Sequence, residues 1–259
     1  MKNTLLYLFL ILLLTNCNDD VPLSRFESKM VIYAELSNTS TPYVSIQKTV
    51  PLLAMSNYPG VGNATVKITD LTLNKTYTLW ETSEGIYNYD STIGFVGHSY
   101  RLDIEVEGER ITAIEKMPQI VELQNATVEK YEVPFVEDKN YIEIKPKFYD
   151  PKGIENYYQF VFFKNYFPIE KSEIFKDYGF DGLQNVIKFI IEGKTDEYIT
   201  VRMRNITKNA YIYLEGVKLN QNQIAATPTN PVTNLTGNTL GYFNVFSDGG
   251  EVNISPKGK

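Results

Sequence analysis

The chain is poor in the residue types on which most site chemistry depends. It carries one cysteine, Cys17, one histidine, His98, and one tryptophan, Trp80. A lone cysteine excludes an intrachain disulfide, so packing has to supply stability. A lone histidine excludes metal centres built from several imidazoles. A Ser-His-Asp arrangement would have to recruit His98, which stands between Gly97 and Ser99 at the mouth of an expected strand. Basic charge is also scarce: 25 Lys and Arg face 31 Asp and Glu, a net charge of −6. That balance argues against nucleic acid, which asks for a basic patch or stripe, and against adsorption on an anionic leaflet. Long apolar runs are confined to Leu5–Leu14. This run is shorter than the ~20 residues a membrane-spanning helix needs, and with Lys2 before it has the form of a signal-peptide core.

Aromatic residues are plentiful, with 19 Tyr and 14 Phe. Runs rich in Tyr, Thr, Val and Ile, broken by Gly, Asn and Pro, predict strands. Met30 to Leu36, Tyr43 to Thr49, Ala64 to Ile68, Thr76 to Trp80, Tyr100 to Val106 and Ile111 to Ile114 read this way. Alternation is strict at Tyr100, Leu102, Ile104 and Val106. Several short strands at this spacing predict a β-sandwich over residues 26–118. Glu122 to Val136 is expected to be an irregular linker into a second domain, residues 119–259. There Tyr141 to Tyr149 and Tyr157 to Phe163 predict strands, Pro168 to Gly182 a loop or short helix, and Val186 to Ile191 a strand paired with Tyr198 to Ile206.

One stretch has a different period. Ala210, Tyr213, Leu214 and Val217 recur at three and four, with Thr207 as a suitable N-cap, predicting a helix over about 208–223. Gly216 inside it is unfavourable, costing ~1 kcal/mol against Ala. Thr227 to Thr239 follows as a loop, and Leu240 to Ser247 and Val252 to Ile254 as the final strands. The fold class is therefore mostly β: an N-terminal sandwich, then an antiparallel β domain with one packed helix.

The strongest candidate for a functional surface is Pro231 to Phe243, which mixes Gly and Asn with aromatics. Asn234, Gly237, Tyr242 and Phe243 are its candidate ligand- or partner-binding residues; such loops can close over a ligand or dock a partner. The competing reading makes its glycines turn-setters and its aromatics core anchors. Asp150, Glu155, Asp177 and Asp181 cluster in two turns, which raises a Ca²⁺ site of hard oxygen ligands. Turn formation by Asp beside Pro or Gly is favoured instead. No catalytic residue, metal or cofactor is expected.

Leu14-Thr15-Asn16-Cys17 resembles a bacterial lipobox, which implies cleavage after residue 16 and acylation of Cys17. Residues 17–25 then form a spacer, and Asn18-Asp19-Asp20 resembles the acidic signal that sends many Bacteroidota lipoproteins to the cell surface. Ala64-Val66-Ile68, Gly85-Tyr87, Gly97-Tyr100-Leu102-Ile104 and Pro118 resemble transthyretin-like or carboxypeptidase-regulatory-like sandwiches.

Taken with Asp150 to Tyr158, Asp177 to Gly182, Tyr211 to Leu214 and Pro231 to Phe243, the mature chain resembles a family of Bacteroidota lipoproteins known only as a domain of unknown function. Genes of that family commonly lie beside TonB-dependent receptors. The resemblance implies a non-enzymatic, lipid-anchored outer-membrane protein on the periplasmic face or the cell surface, the acidic signal after Cys17 favouring the surface. Its implied partner is a TonB-dependent receptor barrel, for which it would hold substrate or cap the barrel. The alternatives are a free-standing adhesin or structural envelope lipoprotein and, behind that, a glycan-active enzyme with two facing carboxylates.

Overall fold

The computed structural model describes residues 26–51, 57–133, 139–179, 181–185, 187–221 and 229–254. The expected signal segment, Cys17 and the acidic spacer lie outside the described residues. The chain is mostly β. Its strands are β1 Met30–Ser37, β2 Tyr43–Lys48, β3 Thr65–Asp70, β4 Lys75–Ser83, β5 Ile86–Asn88, β6 Ser99–Val106 and β7 Glu109–Lys116. They continue with β8 Asn125–Tyr131, β9 Tyr141–Lys147, β10 Tyr157–Lys164, β11 Phe167–Lys176, β12 Phe189–Glu192, β13 Ile199–Ile206 and β14 Leu240–Ile254. One helix, α1 Lys208–Gln221, precedes the last strand.

Eleven strands hydrogen-bond in the order β11-β10-β13-β14-β1-β2-β5-β4-β3-β6-β7, and β12-β9-β8 form a separate sheet. The long sheet turns a corner at β4, whose first half pairs with β3 and whose last residues pair with β5. Its two arms enclose a core of Ile32, Leu36, Ile46, Ile68, Leu102 and Ile104. Period-two alternation makes this possible, because Tyr100, Leu102, Ile104 and Val106 all face inward while the residues between them face out. A second core, with Ile142, Ile144, Phe160, Phe162, Val201 and Met203, lies between the β10–β13 arm and the three-stranded sheet.

β14 connects the two. Its first half runs parallel to β1, from Val31↔Leu240 to Ser37↔Phe246. Its second half runs antiparallel to β13, from Ile206↔Phe246 to Ile199↔Ile254. Phe243 and Val245 enter the first core. Tyr242 and Phe246 face the other way and pack with Tyr157, Ile206 and Ala210 under α1.

The helix begins as its sequence predicts. Thr207 caps it, its Oγ1 accepting from Ala210 N at 3.2 Å. Gly216 is explained by packing: a Cβ there would lie 3.2 Å from Pro231. The glycine lets the 229–233 chain press against the helix.

Four local expectations are corrected. Residues 167–176 form an edge strand rather than a loop or helix, and Pro168 is tolerated because it stands near the start of an edge. The expected linker contains β8, an edge strand whose charged residues point to solvent. β12 pairs with β9 and not with β13, because Phe189 and Val201 must face each other across the second core from different sheets. The final strands are one continuous element with a bulge opposite Arg202 and Arg204, where Gly250 has φ +91°.

Candidate functional site

Residues 229–241 run over the first sandwich to the start of β14. Hydrogen bonds hold this segment at several points. Asn220 Nδ2 donates to Thr229 O at 2.6 Å and its Oδ1 accepts from Thr229 N at 3.2 Å. Thr233 Oγ1 donates to Gly241 O at 2.6 Å and accepts from Leu235 N at 3.1 Å. Thr236 N donates to Thr112 O at 2.9 Å, and Thr112 N to Thr236 Oγ1 at 2.8 Å, so the segment covers the edge strand β7.

Asn234 is the hub. Its Nδ2 donates to Glu115 Oε1 at 2.6 Å and to Phe243 O at 2.9 Å, while its Oδ1 accepts from Phe243 N at 2.9 Å. Glu115 is buried, and the same oxygen also accepts from Asn209 Nδ2 at 2.8 Å. One carboxylate thus ties β7, α1 and the crossing segment together. Gly237 occupies a turn with φ +85° and has open space where a side chain would be. Tyr242 is buried, stacked on Tyr213 with ring centroids 4.2 Å apart and set edge-on to Tyr33 at 5.5 Å. Phe243 is wholly enclosed in the first core. The four residues singled out from the sequence lie along one short segment, but Tyr242 and Phe243 face opposite interiors.

What the segment does shape is a cleft of about 300 Å³ between itself, α1 and one end of the β1–β2 pair. Tyr58, Tyr213, Pro231, Gln47, Thr49 and Asn230 supply most of its character. Its only ionisable groups among the described residues are two tyrosine phenols, and burial raises the pKa of Tyr213. Gln47, Thr49 and Tyr58 come from the far end of the sequence and bear no motif. The only hint of them is the Pro59-Gly60 turn that follows Tyr58. A second groove, about 530 Å³, lies between the free edges of β11 and β12. Its charged members already have partners, Glu192 with Lys139 at 2.9 Å and Lys164 with Glu197 at 3.9 Å.

The two acidic turns come together as one interlocked structure. Gly153 N donates to Asp181 Oδ1 at 2.6 Å and Asn156 N to Asp177 Oδ2 at 2.8 Å. Asp150 is buried and accepts from the Tyr158 hydroxyl and, at 3.3 Å, from Asn156 Nδ2. Burial pushes the Asp150 carboxyl above the usual range; the Tyr158 hydrogen bond opposes this and the Asp177 charge adds to it. Among the described residues, no group of three His, Cys, Asp or Glu is placed to hold a metal. The double turn also exposes Tyr149, Ile154, Leu183 and Tyr178, the last at 88%.

His98 is paired with Asp70, Nδ1 to Oδ2 at 2.8 Å. Asp70 Oδ1 accepts from Thr72 N and Leu73 N, so the pair pins the β3–β4 turn against the start of β6. Burial works to raise the Asp70 pKa, but the His98 bond and the two amides outweigh it and hold the carboxyl below its ordinary value.

No curated protein matches the chain. A family model described as a domain of unknown function, DUF4249, matches residues 16–250. That span takes in the first sandwich, the acidic double turn, the helix and the first eleven residues of β14. The chain therefore belongs to the DUF4249 family, whose description assigns it no function.

Proposed function

We propose that this protein is a non-enzymatic, lipid-anchored outer-membrane accessory of a TonB-dependent nutrient transporter, holding substrate beside the barrel or capping it. The observation that carries the proposal is the character of the cleft. It is shaped by a segment held at several points, and among the described residues its lining offers aromatic rings, amides and hydroxyls rather than an acid–base pair or a metal cradle. Such a lining suits retention of a ligand, not its conversion. The sequence adds the anchor: Leu14 to Cys17 has the form of a lipobox, and acylation of Cys17 would tether the body to a membrane. The Bacteroidota origin and the pairing with a receptor belong to the same proposal.

The test is a mild-detergent pull-down from outer membranes through a C-terminal tag. Near-stoichiometric recovery of a β-barrel receptor supports the accessory role. Recovery of the lipoprotein alone, under conditions that preserve known receptor complexes, overturns it. One observation favours a second reading, a free-standing adhesin: the exposed Tyr149, Ile154, Tyr178 and Leu183 on the double turn. The same pull-down separates the two.

A further inference from the structure

We propose that the cleft between α1, residues 229–241 and one end of the β1–β2 pair binds a neutral sugar ring. This rests on the reading of the protein as a substrate holder and specifies what is held. Three features of the lining select the ligand. Among the described residues no carboxylate, ammonium, guanidinium or imidazole lines the cleft, so a charged ligand would be desolvated with no counter-charge. The amides of Gln47 and Asn230 are engaged by no hydrogen bond among the described residues, so a purely apolar ligand would bury them unpaired. Thr49 Oγ1 accepts from Lys29 N at 2.9 Å and so keeps its own hydrogen to donate.

The ligand must then be uncharged, with an apolar face for Tyr58, Pro231 and Leu240 and hydroxyls for Gln47, Asn230 and Thr49. A pyranose has that construction. One face of the ring is lined with C–H groups that lie against an aromatic or proline ring. Its equatorial hydroxyls give and take hydrogen bonds in pairs, as a carboxamide does. An extended peptide is the competing neutral ligand, and the cleft offers it no free ladder. The Gln47 backbone already pairs with Val31 on one side and Gly60 on the other, and Gly241 O is taken by Thr233 Oγ1. The volume, about 300 Å³, falls at the lower end of small-ligand sites and suits one ring of a longer chain.

The experiment is saturation-transfer NMR on the full mature chain in detergent. The probes are neutral di- to tetrasaccharides of glucose, galactose and mannose, with uronate and sulfated oligosaccharides and an uncharged tetrapeptide alongside. The expected result is transfer to ring C–H protons of at least one neutral sugar, with the charged sugars and the peptide silent. Tyr58→Ala and Gln47→Ala each weaken that binding about five- to tenfold, the size of one lost contact. Both positions are partly exposed, and an unchanged urea midpoint shows that the variants remain folded. Silence across the neutral panel, a preference for charged sugars or peptide, or binding indifferent to both substitutions overturns the inference. A receptor recovered in the pull-down with no sugar bound sinks only the sugar inference. A sugar bound with no receptor recovered sinks only the transporter role.

Discussion

Asn234→Ala tests whether the crossing segment is held by the hub described above or merely rests on the sandwich. The substitution removes three hydrogen bonds: 2.6 Å to Glu115 Oε1, and 2.9 Å each to Phe243 O and from Phe243 N. A neutral hydrogen bond contributes about 1 kcal/mol net and one to a charged group about 1.5–3 kcal/mol. Water can replace them only in part, because Glu115 is 6% exposed and Phe243 is fully enclosed. The expected loss is about 3–4 kcal/mol. With a urea slope of about 2–3 kcal/mol/M, the midpoint falls by about 1–2 M at unchanged slope.

Asn234→Asp is the sharper companion. Shape and the bond from Phe243 N are kept, but an oxygen now faces Glu115 Oε1 and Phe243 O. The loss should exceed that of alanine at neutral pH. The new carboxyl would have its folded pKa raised by Glu115, so the deficit is present above that pKa and shrinks as acid supplies a proton to share. A midpoint within about 0.3 M of the parent for Asn234→Ala, or an Asp variant no worse than Ala, would refute the reasoning.

Other outcomes follow from the same kind of argument. Asp150→Asn should flatten the pH dependence of stability: the folded pKa of Asp150 is raised, so the parent loses stability as pH climbs from its ordinary 3.8 through the raised value, and the amide does not. Parallel melting curves for parent and variant from pH 4 to 7 would contradict this. Gly216→Ala should gain nothing, although helix propensity alone offers ~1 kcal/mol, because the added methyl meets Pro231 at 3.2 Å; a clear rise in Tm would show that Pro231 yields freely. Cys17→Ser should move the protein from the membrane to the soluble fraction, and retention in membranes would remove the lipid from the account.

The parts of the fold legible in the sequence were those governed by local pattern. Strict alternation at Tyr100 to Val106 marked β6, and the three-and-four spacing after Thr207 marked α1. Edge strands were harder. β8 and β11 are only partly buried, so their apolar period is diluted by Glu and Lys, and Pro168 suggested a break that an edge tolerates. Partnerships were hidden altogether: nothing local in Val31 to Ser37 signals that its parallel neighbour lies more than 200 residues away. The candidate site was legible as a place but not in its parts. Pro231 to Phe243 does border the cleft, yet two of the aromatics that drew attention to it, Tyr242 and Phe243, are anchors. The open lining comes from Gln47, Thr49 and Tyr58, whose roles depend on what folds over them.

The position of β14 also has a consequence in time. β1 is among the first strands to be made, yet its second neighbour is the last. Until residue 240 is available, β1 has an unpaired edge and the first core lacks Phe243 and Val245. The N-terminal half cannot finish while the chain is still emerging, and contacts of such long sequence separation form slowly. The nascent chain therefore passes through a stage with a bare, apolar strand edge, the form most prone to mispairing with another chain. A helper that shields that edge until β14 arrives would act on β1, and removing β14, residues 240–254, would leave both halves unfinished at once.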